Sequence, residues 1–155
     1  MRRFLTLASL LLATLTAPAH AQQSWTQVGV LTCRLDPSVG FIIAGHQSME
    51  CTFKQEAGPS QVYQGAINTV GLDVGVTAGG ILAWTVFAQT RGTPAGALAG
   101  EYAGASGDIG LGVGVGANVL IGGSGRSIAL QPLSVEGSVS VNVALGVSMM
   151  QLRAM

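Results

Sequence analysis

The sequence is 155 residues long, with seven basic and seven acidic side chains, 48% hydrophobic residues and 23 glycines. Charges this few and this scattered exclude a basic track for nucleic acid and an acidic disordered tail. The length allows one domain with a modest core.

The chain opens as an export signal. Arg2 and Arg3 give a positive start, Phe4 to Leu15 form an apolar stretch, and Ala19-His20-Ala21 supplies small residues for a cut before Gln22. An apolar stretch of about a dozen residues is too short to span a bilayer. Gln22, not a cysteine, directly follows the cleavage site, which argues against a lipid anchor. The expected organisation is a signal peptide over 1–21 and one glycine-rich all-β domain over 22–155, placed in the bacterial periplasm or secreted. That domain carries five basic and seven acidic groups, a balance of −2. So small a charge gives little repulsion between copies.

Two cysteines, Cys33 and Cys51, remain after the signal. In an oxidising compartment their default state is a disulfide. The enclosed loop has 17 residues, worth about 3 kcal/mol in the chain-entropy account. The competing reading, reactive thiols or a metal pair with His46, lacks the paired spacings of a zinc site.

After the signal no helical stripe appears, and period-2 alternation dominates. Val28, Val30 and Thr32 alternate with Gly29, Leu31 and Cys33. Met49, Cys51 and Phe53 share one face, with Glu50 and Lys54 on the other, which predicts a half-buried strand with its sulfur inward. An Asp36-Pro37-Ser38 turn and a short Phe41-Ile42-Ile43 strand are expected between these two. Gln61 to Leu72 reads as the next strand. Residues 81–88 are apolar on both faces, which predicts a strand in a sheet covered on both sides or inside a sandwich. Gly110, Gly112, Gly114 and Gly116 leave one face of a strand bare, as close approach of a sheet, ring or ligand would require. Val135, Val139, Val141, Val143, Leu145, Val147 and Met149 form a long row predicted to be buried, opposite Glu136, Ser138, Ser140, Asn142 and Ser148. Seven to nine short strands predict a single antiparallel β-sandwich or small closed β-barrel. Seven aromatics in the mature chain are too few for the girdles of a membrane-spanning barrel.

The usual catalytic motifs fail residue by residue. Gly122-Gly123-Ser124-Gly125-Arg126 lacks the last glycine of a nucleophile elbow. Leu120 sits where a phosphate loop needs its first glycine, and Arg126 where it needs lysine. The glycines of 110–116 all fall on even positions, which breaks the dinucleotide pattern. His46, the one mature histidine, lies in the polar stretch Gly45-His46-Gln47-Ser48 and reads as an exposed loop residue. An acid pair could come from Asp73, Glu101 and Asp108, although each sits beside glycines that suit turns. The stronger binding candidate is Gly122, Gly123, Ser124, Gly125, Arg126 and Ser127, where glycine-permitted bends could aim N–H groups at an anion and Arg126 adds a forked donor. A plain hairpin loop is its simpler reading. Trp84 is expected in the core, and Trp25 to cap an open sheet end.

Several stretches carry a resemblance when taken together: Val28-Gly-Val-Leu-Thr-Cys33, Gly40-Phe-Ile-Ile43, Glu50-Cys-Thr-Phe53, Gly71-Leu-Asp-Val-Gly-Val-Thr77, the run from Gly112 to Gly123, and Arg126-Ser-Ile-Ala-Leu-Gln-Pro-Leu-Ser-Val135. Over about residues 25–153 the chain resembles the proteobacterial family termed domain of unknown function 992. Its members are small exported proteins with no established activity. The resemblance implies export and the pairing of Cys33 with Cys51, and it carries no catalytic residue across.

These readings converge on a non-enzymatic module with no cofactor and no bound metal. Its expected partner is a lipid, another apolar or anionic envelope component, or an envelope protein. An enzyme using Asp73, Glu101, Asp108 and His46 is the alternative. A self-associating homo-oligomer, encouraged by exposed edge strands, is the third reading.

Overall fold

The computed structural model describes residues 24–36, 44–70, 80–105, 119–133 and 147–155. Eight strands form in chain order: β1 (Thr26–Leu35), β2 (Ala44–Gln55), β3 (Gln61–Val70), β4 (Ile81–Ala88), β5 (Gly100–Ala105), β6 (Val119–Gly122), β7 (Ile128–Pro132) and β8 (Val147–Ala154). They close into an antiparallel barrel in the order β1-β2-β3-β8-β5-β6-β7-β4. Of the two architectures the alternation allowed, the closed barrel is the one formed.

The order resolves into two equal halves. β4 lies beside β1 and β8 beside β5, so each half runs 4-1-2-3 in space, which is a Greek key. The halves meet along two seams, β3 with β8 and β4 with β7. Each strand therefore has a neighbour on both sides. Closure leaves no free edge among these strands, which removes the edge-to-edge route to self-association that an open sheet would offer.

Alternation sends one face of every strand inward. Leu31, Cys33 and Leu35 of β1 meet Met49, Cys51 and Phe53 of β2 inside, all buried, with Glu50 and Lys54 outside as their pattern requires. Cys33 and Cys51 oppose each other in the β1–β2 ladder and form the disulfide, with Cα atoms 3.9 Å apart. The core is completed by Tyr63, Ile67, Leu82, Trp84, Val86, Leu98, Tyr102, Leu120, Leu130, Met150 and Leu152. Each large side chain taken out of water contributes about 2 kcal/mol.

Two expectations change. The row ending in Val147 and Met149 breaks at Ser148. The β3–β8 register shifts between Asn68 and Thr69, and a bulge of this kind reverses the phase of alternation. Val147, Met150 and Leu152 face inward, and Met149 is 48% exposed. Among the described residues the outer face of β4 is only partly covered, with Ala83 buried there. Leu82, Trp84, Val86 and Ala88 fill the barrel, Thr85 and Phe87 are half-buried on the outer wall, and Ile81 is 50% exposed.

The registers place the start of β1, the 56–60 turn, the 89–99 connection and the 123–127 turn at one rim. The 89–99 connection has to cross this rim, because β4 and β5 stand three positions apart around the barrel. The strand ends at the other rim lead into residues outside the described set. The expected signal peptide, the Pro37–Ser38 turn with the 41–43 strand, Asp73, the bare glycine strand 110–116, Asp108 and the row 135–145 all lie outside the described residues.

Candidate functional site

A barrel of eight strands is wide enough either to be filled by side chains or to hold one small ligand. Here it is filled. Trp84, Tyr63, Tyr102, Phe53, Leu31, Met49, Ile67 and Leu82 are all fully buried, and among the described residues no charged group is buried with them. Among the described residues the buried Trp84 indole N–H has no hydrogen-bond partner, a cost of about 1–3 kcal/mol.

The crossing connection closes one rim. Leu98 drops to full burial, held by two tyrosines. Its N–H donates to the Tyr63 hydroxyl at 3.4 Å, and its carbonyl accepts from the Tyr102 hydroxyl at 2.7 Å. Tyr63 in turn donates to Gln61 Oε1, which also accepts the Gly96 N–H at 3.1 Å. Thr93 donates to Gln55 Oε1 from the same loop. Burial is the main force raising both phenol pKa values. At Tyr63 the Leu98 and Gly96 contacts oppose it in part, and at Tyr102 the neighbouring Tyr63 adds to it. No spacing in the sequence marks this plug, because Leu98 is a lone apolar residue in a loop.

The 122–127 segment is the β6–β7 turn. Ser124 N–H donates to the Ala97 carbonyl at 3.5 Å, Arg126 N–H to Gly123 at 3.2 Å, and Ser127 N–H to Ser124 at 3.3 Å. Ser127 Oγ also donates to the Ser124 carbonyl, at 2.7 Å. Three N–H groups that an anion would need are thus committed to backbone carbonyls. Gly125 and Arg126 both have positive φ, 63° and 55°, the sign pattern of a type I′ hairpin turn. The Arg126 side chain is exposed.

Of the four residues weighed for catalysis, two, His46 and Glu101, are described, and strands β3 and β8 lie between theirs. His46 and Glu101, both exposed on the outer wall, line one shallow depression with Asn68, Met149 and Gln151. Asn68 Oδ1 lies 3.1 Å from His46 Nδ1. Asn68 lies directly opposite His46 in the β2–β3 ladder. Its outward position on β3 follows from counting in twos along the strand. Among the described residues, no three His, Cys, Asp or Glu side chains gather as a metal site would need. Trp84 sits in the core as expected, and Trp25 is half-buried just before β1.

A second outer-wall depression, of about 400 Å³, lies over β1, β2 and β4 and is lined by Thr32, Arg34, Glu50, Thr52, Lys54 and Ile81. The disulfide lies directly behind it. Thr32 and Arg34 flank Cys33, Glu50 and Thr52 flank Cys51, and the pairs Thr32–Thr52 and Arg34–Glu50 are opposed in the ladder.

These features define a class: a disulfide-stapled double Greek-key barrel whose described interior is filled by large side chains, with one plugged rim and, among the described residues, its polar chemistry on the outer wall. The chain belongs to the family described as protein of unknown function (DUF992), which matches residues 12–153. No curated protein and no solved structure matches it. Among the described residues no helix is long and apolar enough to cross a membrane.

Proposed function

We propose that the protein is a non-enzymatic module of the bacterial periplasm, exported by residues 1–21, which binds an envelope component or envelope protein through the outer wall of its barrel. The observation that carries this reading is the filled interior. A barrel that hosts a small molecule keeps a cavity for it, and here Trp84, Tyr63, Tyr102 and Phe53 occupy that space. Recognition then falls to the outer wall and the loops.

The experiment is native mass spectrometry of the protein purified from the periplasm. A co-purifying lipid or protein mass at stable stoichiometry is the expected result. A bare chain that turns over a panel of ester or glycoside substrates, with turnover lost in His46→Ala, would replace the binding reading with the enzymatic one. His46 and Glu101 share a depression, so that alternative has a defined location.

A further inference from the structure

We infer that the outer face of β1 and β2 is a contact surface for a second copy of this chain. The inference starts from where the charges stand. Strands β3, β4, β6 and β7 carry no Asp, Glu, Lys or Arg, whereas Arg34, Glu50 and Lys54 stand on β1 and β2. All three are exposed, and none is ion-paired among the described residues. Arg34 and Glu50 lie directly opposite each other in the ladder, and Thr32 lies opposite Thr52.

That register makes the face complementary to itself. Consider a twofold axis lying in the contact plane, parallel to the strands and midway between β1 and β2. It carries each residue of β1 onto the position above its ladder partner on β2. Arg34 of one copy then stands over Glu50 of the other, and Glu50 over Arg34, while Thr32 faces Thr52 twice. A twofold contact requires this of a single patch: if residue i meets residue j, then j meets i. Sheets pack face to face at about 10 Å, a gap that extended Arg and Glu side chains bridge from the two sides. The disulfide between Cys33 and Cys51 fixes the register of the residues that must match. The low charge of the domain adds little repulsion between copies. Ile81, 50% exposed and opposite Arg34 on β4, gives the patch an apolar margin.

The test is sedimentation velocity on the mature, disulfide-bonded protein at up to about 100 µM, well above the micromolar range of a weak specific contact. A monomer–dimer equilibrium that weakens with added salt is expected. Arg34→Glu sets like charges against each other and is expected to weaken the dimer about tenfold or more. Glu50→Arg does the same from the other side, and the double exchange Arg34→Glu with Glu50→Arg restores it. A wild-type chain that stays monomeric overturns the inference. So does a dimer that both single variants leave intact, or one that the double exchange fails to rescue. Circular dichroism of each variant separates a lost contact from a lost fold, and the two opposite single changes make the answer independent of either one folding poorly. A co-purifying mass in the periplasmic preparation is a separate readout, so either proposal can fail alone.

Discussion

A β-carbon built on Gly122 would stand 1.9 Å from the carbonyl oxygen of Glu101. The β5 backbone passes this glycine too closely for any side chain, and the contact is with main chain, which cannot swing aside. Gly122 is therefore required by the β5–β6 ladder, whatever the adjoining turn binds. Gly122→Ala is expected to cost about 3 kcal/mol or more through overpacking. Gly125→Ala meets no atom within 4 Å but must hold φ at 63°, so its cost is about 1 kcal/mol. Urea midpoints of the two variants give the ranking, and equal losses would contradict the close approach.

Arg126 makes the converse case. It is the one described non-glycine residue with positive φ, a conformation that costs an L-residue roughly 1–2 kcal/mol. Arg126→Gly is expected to stabilise the fold by about 0.5 kcal/mol, since the greater freedom of an unfolded glycine cancels part of the gain. A loss of stability would show that the arginine side chain makes a compensating contact.

The Cys33–Cys51 staple closes a loop of 17 residues between the cysteines. Its reduction, or replacement of both cysteines by alanine, is expected to lower stability by about 3 kcal/mol. Paired denaturant titrations with and without reductant measure it. Since β1 and β2 keep their ladder, the reduced protein should retain its strand signature in far-ultraviolet dichroism.

The plug predicts a pH limit. Burial raises the pKa of Tyr63 and of Tyr102, so the folded chain keeps both phenols protonated where the unfolded chain, titrating near pH 10, has lost them. The stability gained this way is complete below about pH 10 and falls as the pH rises further. The chain has two tyrosines, both at the plug, so no surface phenol masks the signal. Tyrosinate absorbance should appear together with loss of near-ultraviolet dichroism. Tyrosinate forming near pH 10 in a still-folded protein would contradict the plugged rim.

Leu98 itself should behave as core despite its place in a loop. Leu98→Ala is expected to cost about 3 kcal/mol. Tyr102→Phe should cost about 1–2 kcal/mol by leaving the Leu98 carbonyl without its donor. Unfolding midpoints of the two variants, compared with an exposed control such as Arg91→Ala, give the answer.

Much of the barrel wall was legible in the sequence, and its closure was not. Met49, Cys51 and Phe53 alternate cleanly with charged residues, so β2 and the inward sulfur could be read directly. Strands β5, β6 and β7 leave no clear strand pattern in the sequence. Gly100–Ala105 offers one large inward side chain, Val119–Gly122 is four residues long, and Ile128–Pro132 ends in proline. The choice between sandwich and barrel rests on the seams β3–β8 and β4–β7, whose partners lie far apart in the chain and leave no local pattern. A period-2 count puts Met149 inside, because it has no means of sensing the bulge at Ser148. At the outer wall, the residues facing outward follow from the same alternation. Which strands put His46 and Glu101 around one depression, or Arg34 opposite Glu50, depends on neighbours that only the ladder order supplies.

The seam between β3 and β8 also sets a timetable. A ribosome or a secretion channel delivers the chain from its amino end, so the third strand emerges long before the eighth, the one that sits between it and β5. Without that strand, a sheet of the first four would have two unmated margins, and the ring cannot shut. Closure of the ring therefore waits on the last strand delivered.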